Sequence, residues 1–302
     1  MNEKKYWREW EIKEIRKGGE GWPERLKGVK PLVKRLYYRG KWDRSIFENC
    51  LAVVGSRKMT RYGESVVERI LPRVIQAGVT IVSGFMYGID TKAHRTCLEY
   101  GGKTIAVFGC GLDCLTPASN DKLYREILAG GGLVISEYEP EEKARRWMFP
   151  LRNRIVAGLS VATLVVEGGE KSGTLITAKL AKKMRRTVLA VPGPVGSSNA
   201  VATNELIKEG ARLVTSGEDV LGALHLQGEL HSRCDIKSHT GSVIGKRTGH
   251  TKRIVEELKR ESLEMDELSR ILKIGVSLLS QKLSELQLAG VIVERGGKYS
   301  VE

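Results

Sequence analysis

The chain has 302 residues, of which 41% are hydrophobic and 28% are charged, and its formal net charge at pH 7 is +14. These proportions are ordinary for a globular protein and exclude wholesale disorder and a fibrous repeat. The apolar runs are too short for a membrane-spanning helix, and the charged N-terminus does not fit a signal peptide. We therefore expect a cytoplasmic protein with no membrane contact and, from its positive charge, a polyanionic partner.

The chain has five cysteines, an odd number, and none of them form a Cys-x-x-Cys pair. Reduced thiols are therefore expected rather than a zinc site or a redox centre. They are Cys50, Cys97, Cys110, Cys114 and Cys234.

Residues 1–50 are predicted to form a short N-terminal arm and a lead-in segment rather than a domain. Residues 1–20 have the pattern of a polar helix with a thin apolar stripe, which Gly18 and Gly19 end. The stretch that follows, as far as Gly40, is apolar and partly strand-like. We expect it to pack on the edge of the next domain.

Residues 51–226 alternate short β-branched runs with amphipathic helical stretches, which predicts an α/β fold with a doubly wound, mostly parallel, Rossmann-like sheet. Most of the strands are continuous apolar runs, as strands covered on both faces should be. The predicted strands are 51–55, 79–83, 104–109, 133–137, 162–167, 187–191 and 212–214. The predicted helices are 63–77, 91–100, 121–129, 152–159, 174–184 and 204–209.

The C-terminal quarter divides into a linker and a small domain. Residues 227–249 lose periodicity and gain Gly, Ser, Thr and His, which is typical of a flexible linker. Residues 250–302 are predicted to form a winged-helix domain, with helices at 251–260, 265–272 and 276–289. A hairpin with Gly296 and Gly297 at its tip completes that arrangement.

The loops after the strands are the candidate binding segments, because ligands of open α/β sheets bind beyond the carboxyl ends of the strands. Arg57 follows the first predicted strand, where a guanidinium group can hold a phosphate with two hydrogen bonds. Glycines in the next two loops allow the backbone to bend or to approach a ligand. The candidate phosphate-binding residues of these loops are Gly55, Ser56, Arg57, Lys58, Ser83, Gly84, Gly88, Gly109 and Gly111.

Asp90 and His94 are four residues apart, on one face of the second predicted helix. They suit either a general acid and base pair or, as we favour, a helix N-cap with a histidine packed beside it. Two nucleotide motifs are incomplete, since GCGLDC lacks the third glycine of a dinucleotide fingerprint and GGEKSGT does not fit the Walker pattern. No cofactor is expected.

The segment 149–181 combines arginines, an apolar strand, a glycine-rich turn and a new helix, whose start favours an anion. Cations alternate with Trp147 and Phe149 before it, as in single-stranded nucleic acid sites. The alternative is that the aromatic residues are core and that the arginines pair with Glu137, Glu139 or Glu141. The candidate residues are Phe149, Arg152, Asn153, Arg154, Lys171, Ser172, Gly173 and Thr174.

Several motifs occur in one order: VGSRKMTRYG, SGFMYGIDTKAH, TIAVFGCGLD, FPLRNRIVAGLS, LVVEGGEKSGTLITA and AVPGPV. In this order the chain resembles the DNA-processing protein A family, DprA or Smf, from Gly21 to Leu226. The resemblance implies a homodimeric protein, not an enzyme, that binds single-stranded DNA in natural transformation, protects it and loads the RecA recombinase. It also implies that the DNA pocket is formed by the loop from Gly55 to Arg57, by FPLRNR and by the turn at 172–174.

Two other functions stay open. The sheet also resembles that of nucleotide phosphoribohydrolases, in which a catalytic glutamate follows the glycine-rich turn. Thr177 stands at that position here, which disfavours such an enzyme or a nucleotide sensor. A winged-helix transcription regulator is the third possibility, but the third helix of that domain has one lysine and many leucines.

Overall fold

A computed structural model gives the structure of residues 10–170, 172–224, 249–258, 261–272, 275–288, 291–295 and 297–301. The chain divides into two compact units, Met1–His231 and Ser232–Glu302. Across the described ranges, no helix has the length and the apolar character that crossing a bilayer requires.

The first unit is built on a nine-stranded sheet. Its strands are β1 (Lys13–Arg16), β2 (Arg35–Gly40), β3 (Cys50–Val54), β4 (Thr80–Ser83), β5 (Thr104–Phe108), β6 (Leu133–Ser136), β7 (Ala162–Val165), β8 (Thr187–Ala190) and β9 (Arg212–Leu213). They are arranged in the order β1-β2-β6-β5-β4-β3-β7-β8-β9. β1 and β2 pair antiparallel with their neighbours, and all other pairs are parallel. The predicted α/β, mostly parallel sheet is therefore confirmed.

The described residues of this unit form seven α-helices: α1 (Arg61–Gln76), α2 (Ile89–Glu99), α3 (Asp121–Ala129), α4 (Met148–Leu159), α5 (Gly173–Lys183), α6 (Val201–Lys208) and α7 (Gly217–Ala223). Apolar residues of α1, α2 and α7 pack on one face of the sheet. Those of α4, α5 and α6 pack on the other face. Along β3, Leu51 and Val53 face the first group, whereas Ala52 and Val54 face the second. Burial of both faces explains the continuous apolar runs.

The helix predicted over 1–20 is wrong in the described part, because 13–16 form the edge strand β1. Ile12 and Ile15 are three residues apart, which suggests one helical face. In the structure they belong to the two faces of the sheet, since Ile12 packs on the apolar cluster that contains Phe108 and Ile15 packs on the cluster that contains Leu36. Residues 1–9 lie outside the described residues.

The strand order changes direction between β3 and β7. From β3 the chain proceeds outward through β4, β5 and β6, and it then returns to place β7 on the other side of β3. Val54 pairs in register with Val165, so the loops that begin at Gly55 and Val166 leave the sheet side by side. Such a switch point is where open α/β sheets form a ligand crevice.

The described part of the second unit has three helices, α8 (Gly249–Leu258), α9 (Met265–Leu272) and α10 (Val276–Leu288). A small antiparallel sheet is formed by β10 (Leu263–Glu264), β11 (Ile292–Arg295) and β12 (Lys298–Val301) in the order β10-β12-β11. Ile254, Leu268 and Leu283 are in its buried core. Its assignment as a winged-helix domain stays a prediction, as do the four predicted ranges 1–50, 51–226, 227–249 and 250–302. Residues 227–248 of the predicted linker lie outside the described residues.

Candidate nucleic-acid interface

A pocket of about 690 Å³ opens at the switch point, between the loops that follow β3 and β7. We call it the central pocket. Four cationic side chains, Arg57, Lys58, Arg146 and Arg152, line it, with Asp90 as its one carboxylate among the described residues. It brings together most of the predicted site residues, namely Gly55, Ser56, Arg57, Lys58, Gly84, Phe149, Arg152, Asn153, Ser172, Gly173 and Thr174.

Arg57 and Phe149 form the outer part of this pocket. Arg57 is exposed, and its guanidinium carbon lies 5.8 Å from the centre of the half-buried Phe149 ring. The cation and the ring therefore meet at one place, as a site for a phosphate and its neighbouring base requires. Trp147 is 53% exposed and packs edge-on against Tyr138, so the alternative that Trp147 is a core residue is wrong.

Arg152 forms the floor of the central pocket and is only 3% exposed. Its Nη1 donates hydrogen bonds to the carbonyl oxygens of Gly84 (2.6 Å) and Val107, and its Nε donates to Asn153 Oδ1 (3.2 Å). Within the described residues no hydrogen bond uses Nη2. The protein thus holds the guanidinium in one orientation and leaves its Nη2 donors for a ligand.

Asp90 lies beside Arg152 and is also buried. Burial raises the pKa of the Asp90 carboxyl, and the Arg152 charge opposes that rise. Burial lowers the pKa of Arg152 to about 10, and the Asp90 charge opposes that fall. The N-cap of α2 is Gly88, not Asp90 as predicted, and Asp90 Oδ2 instead accepts a hydrogen bond from Met86 N.

His94 is fully buried, and its Nδ1 is 2.7 Å from Thr104 Oγ1. Burial and the Arg152 charge lower the pKa of His94 to about 3, so the ring is neutral at physiological pH. A neutral, solvent-inaccessible imidazole does not suit general acid and base catalysis with Asp90. The packed histidine is the interpretation that this geometry supports.

Arg154 lies outside the central pocket, so its predicted phosphate contact is not supported. Its Nη2 donates to both carboxylate oxygens of Glu137, at 2.8 and 2.7 Å, and its Nε donates to the carbonyl of Pro31 at 3.0 Å. The side chain is 3% exposed and its charge is already neutralised. The alternative of a carboxylate partner is therefore correct for this arginine.

The turn that precedes α5 offers fewer free donors than its sequence predicted. Ser172 N donates to the carbonyl of Gly169, and Thr174 N donates to Ser172 Oγ, which caps the helix. Among the described hydrogen bonds none uses Gly173 N, so this amide is the one left for an anion at the helix start. Lys171 lies outside the described residues.

Four predicted site residues support the central pocket from behind without lining it. Gly88 has a φ of +74°, and a Cβ atom there would collide with the carbonyl oxygen of Ser56. The same oxygen accepts a hydrogen bond from Ile89 N at 3.2 Å. A Cβ atom on Gly109 would lie 2.9 Å from Phe149 Cδ1. Ser83 Oγ donates to the carbonyl of Val53 at 2.6 Å, and Gly111 N donates to the carbonyl of Glu142 at 2.8 Å. These four residues position the loops of the central pocket and do not line it, so their contact with phosphate stays a prediction.

The structure adds pocket residues that the sequence did not single out. Met86 and Gly169 come from loops already named as candidates, and Arg146 is one of the cations next to Trp147 and Phe149 in the sequence. Asn199 comes from the loop after β8 and donates from Nδ2 to the carbonyl of Lys58 at 3.3 Å. No sequence motif signals Asn199, because its role depends on contact with a segment 141 residues away.

Comparison with known proteins agrees with this geometry. The family model for DNA recombination-mediator protein A matches residues 14–225. DNA processing protein DprA from Streptococcus pneumoniae is 44% identical over 186 residues, which are 62% of this chain and 65% of that protein. The alignment therefore spans less than two thirds of that relative's length.

Two solved structures share the fold. The crystal structure of Streptococcus pneumoniae DNA processing protein A has a TM-score of 0.66 and 39% identity, and the match covers 70% of this chain and 74% of that one. A structure of the Helicobacter pylori protein, which is described as having a unique single-stranded DNA binding mode, has a TM-score of 0.63 and 28% identity over 72% of this chain and 96% of that one. Since the family model covers well over half of the chain, this protein belongs to the DNA recombination-mediator protein A family, the DprA/Smf family that its motifs indicated.

Proposed function

We propose that this protein binds single-stranded DNA and that the central pocket holds backbone phosphates. The observation that carries the proposal is the convergence of four cations and the Phe149 ring on one pocket at the sheet switch point. The single-stranded DNA binding of the Helicobacter pylori relative supports it.

The two central arginines have different roles in this proposal. Arg152 is fixed by three hydrogen bonds and offers a preorganised pair of donors. Arg57 is exposed and can move from the Phe149 ring to a phosphate, while the ring stacks on a base. Neither role requires bond making or breaking, so the proposed activity is binding without chemistry.

Nucleotide hydrolysis is the competing proposal, and the pocket does not favour it. Thr177 lines the central pocket where the hydrolases carry a glutamate. Asp90 is the carboxylate available, and it is held by Met86 N beside Arg152. Incubation with nucleoside monophosphates tests this alternative, since release of free base would favour nucleotide hydrolysis over binding without chemistry.

The decisive test is the substitution Arg57→Ala, because this side chain is exposed and its removal leaves no buried charge unpaired. We expect affinity for a fluorescent oligo-dT to fall about tenfold, the effect of losing one charge-assisted phosphate contact. The matched control is Arg95→Ala, which removes an exposed arginine of α2 outside the pocket. Equal loss in both variants, or tighter binding of duplex DNA than of single strands by the unmodified protein, would contradict the proposal.

Arg152 needs a milder change. Arg152→Ala would leave the buried Asp90 without its neighbouring charge, and such removal of one partner is strongly destabilising. Arg152→Lys keeps the charge but removes the paired donors, so weaker oligo-dT binding by a variant with unchanged secondary structure would support the assigned role.

Family membership supports three finer proposals: that the protein is a homodimer, that it protects DNA taken up in natural transformation, and that it loads RecA in the cytoplasm. Light scattering at micromolar concentration tests the dimer, and a monomeric mass would count against it. Nuclease digestion of bound oligo-dT tests protection. Faster RecA filament formation on single strands in the presence of the protein tests loading, and an unchanged rate would count against it.

A further inference from the structure

A second pocket, of about 240 Å³, lies beside the central pocket. We call it the side pocket. It is formed where the start of α1 meets the end of β7 and the loop after β8, and its lining includes Thr60, Arg61, Tyr62, Glu167, Ser197 and Asn199. Asn199 lines both pockets, and its hydrogen bond to the carbonyl of Lys58 forms part of the wall between them. The function proposed above does not use the side pocket.

Glu167 is the unusual residue of the side pocket, because a carboxylate that is only 4% exposed needs compensating donors. Thr60 supplies two of them. Its N–H donates to Oε2 at 3.0 Å, and its Oγ1 hydroxyl donates to Oε1. Thr60 also caps α1, so the positive end of that helix favours the charged carboxylate. A carboxylate has about four acceptor positions, and Thr60 occupies only two of them.

Tyr62 gives the side pocket an aromatic wall. Its hydroxyl donates to the carbonyl of Pro192 at 2.5 Å, so the ring is held at its far end. The residue is nevertheless 43% exposed. An anchored ring with an open surface can stack on a flat ligand at small entropic cost.

The charges of the side pocket run from negative inside to positive outside. Glu167 is buried, whereas Arg61 is exposed and has no ion pair within the described residues. A ligand with a phosphate at one end and a flat, donor-bearing group at the other fits this order, whereas an anion would be repelled from the interior. Such a ligand is a nucleotide whose base enters the pocket.

Among the bases, guanine has the matching edge. Its N1–H and N2–H₂ groups are adjacent donors, which one carboxylate can accept together. Adenine and cytosine offer a single amino group with an acceptor beside it, and thymine places its one N–H between two carbonyl oxygens that the carboxylate would repel. We propose that the side pocket binds a guanine base of the DNA strand whose phosphates lie in the central pocket, with Glu167 reading the base and Tyr62 stacking on it. This proposal rests on the proposed function.

The first experiment uses the unmodified protein and three oligomers of equal length, measured by fluorescence anisotropy. They are oligo-dT, oligo-dT with one central guanine, and the same strand with hypoxanthine, which lacks the N2 amino group. We expect the guanine strand to bind about tenfold more tightly than the other two. Equal affinities for all three would overturn the guanine site while leaving the proposed function intact, because oligo-dT binding alone reports on the central pocket.

The second experiment tests Glu167 itself. Glu167→Gln can still accept from Thr60 N but presents one acceptor instead of two, so the ratio of guanine to thymine affinities should fall to about one. The matched control, Glu170→Gln, removes the same charge from an exposed residue outside both pockets and should keep the ratio. A preference that persists in Glu167→Gln would overturn the proposed role, and a merely structural role for Glu167 would not change the ratio.

A free nucleotide is the other source of a guanine base. Titration of the protein with labelled dGMP separates a guanine of the DNA strand from a free nucleotide. If the base belongs to the strand, dGMP should bind weakly and oligomers that contain guanine should bind more tightly than oligo-dT. Tight dGMP binding with no guanine preference in the oligomers would overturn the strand assignment.

Discussion

Arg152 and Arg154 are two residues apart on α4, and a separation of about 200° around the helix axis gives them different surroundings. Arg152 lines the central pocket and is fixed by the carbonyls of Gly84 and Val107. Arg154 faces Glu137 at the end of β6. Both are equally buried, so burial alone does not decide function. What decides it is whether the outer donors are already used: Arg154 Nη2 donates to Glu137, whereas no hydrogen bond of the described residues uses Arg152 Nη2.

Gly109 provides a prediction about a single residue, because the absence of a side chain there leaves room for the Phe149 ring. We expect Phe149→Ala to weaken oligo-dT binding about tenfold through loss of base stacking. Gly109→Ala should weaken it by a smaller factor in the same direction, because the added methyl group displaces the ring. The measurement is anisotropy on both single variants and the double variant.

The double variant makes the prediction specific. If Gly109 acts through the ring, Gly109→Ala should have no further effect once Phe149 is alanine. An additive loss would instead show that Gly109 affects the pocket by another route. A thermal melt of each variant serves as the control for general destabilisation.

The sequence predicted the pocket residues that follow strands, because position after a strand is a local property. It offered Glu137 only as one of three alternative partners for the arginines, and it gave no sign of Asn199, which is 141 residues from its partner Lys58. It also overestimated the donors of the 172–174 turn, where the Ser172 side chain occupies an amide that an anion could have used. Local pattern therefore located the site, and tertiary contacts assigned the individual roles.

The helices and strands show the same difference between what local sequence pattern predicts and what tertiary contacts decide. The strands and helices of the parallel core were predicted to within a few residues, because each has a long apolar run or a clear amphipathic period. β1 was misread, because Ile12 and Ile15 have the spacing of one helical face although they pack on opposite faces of the sheet. α7 was missed although Ser216 and Asp219 form a capping box at its start, a signal present in the sequence.

The ion pair between Arg154 and Glu137 links α4 to the end of β6, and it yields a prediction about how this contact between a helix and a strand contributes to stability. Glu137→Gln removes the charge that compensates the buried guanidinium, so we expect the free energy of unfolding to fall by about 3 kcal/mol. Oligo-dT affinity of the folded variant should be unchanged, because Glu137 and Arg154 lie outside the central pocket. Urea denaturation and anisotropy provide the two measurements.

A suitable control is Glu141→Gln, which removes the charge of an exposed carboxylate and should change stability by less than about 0.5 kcal/mol. If Glu137→Gln left stability unchanged but weakened DNA binding, Arg154 would belong to the binding site after all. The structural role assigned to this pair would then be wrong.

At the scale of the whole molecule, the net charge of +14 concerns encounter with DNA more than recognition. Many cations are exposed, and their field attracts any polyanion and accelerates association. The central pocket differs in that four cations lie around a single cavity, one of them fixed in orientation. Attraction over the surface and retention in the pocket should therefore respond differently to salt and to mutation.

The salt dependence of binding is the prediction that separates these two contributions. Each phosphate contacted on a single strand contributes about −0.7 to the slope of log K against log salt, so three or four contacts in the central pocket give a slope of about −2 to −3. Arg57→Ala should reduce the magnitude of the slope by about 0.7, whereas Arg95→Ala should leave it unchanged. Fluorescence anisotropy with oligo-dT at about 50 to 300 mM salt measures the slopes of the unmodified protein and of the two variants. A slope near zero would show that phosphate contacts do not hold the strand, and equal reductions in the two variants would show that the general surface charge, rather than the central pocket, carries the binding.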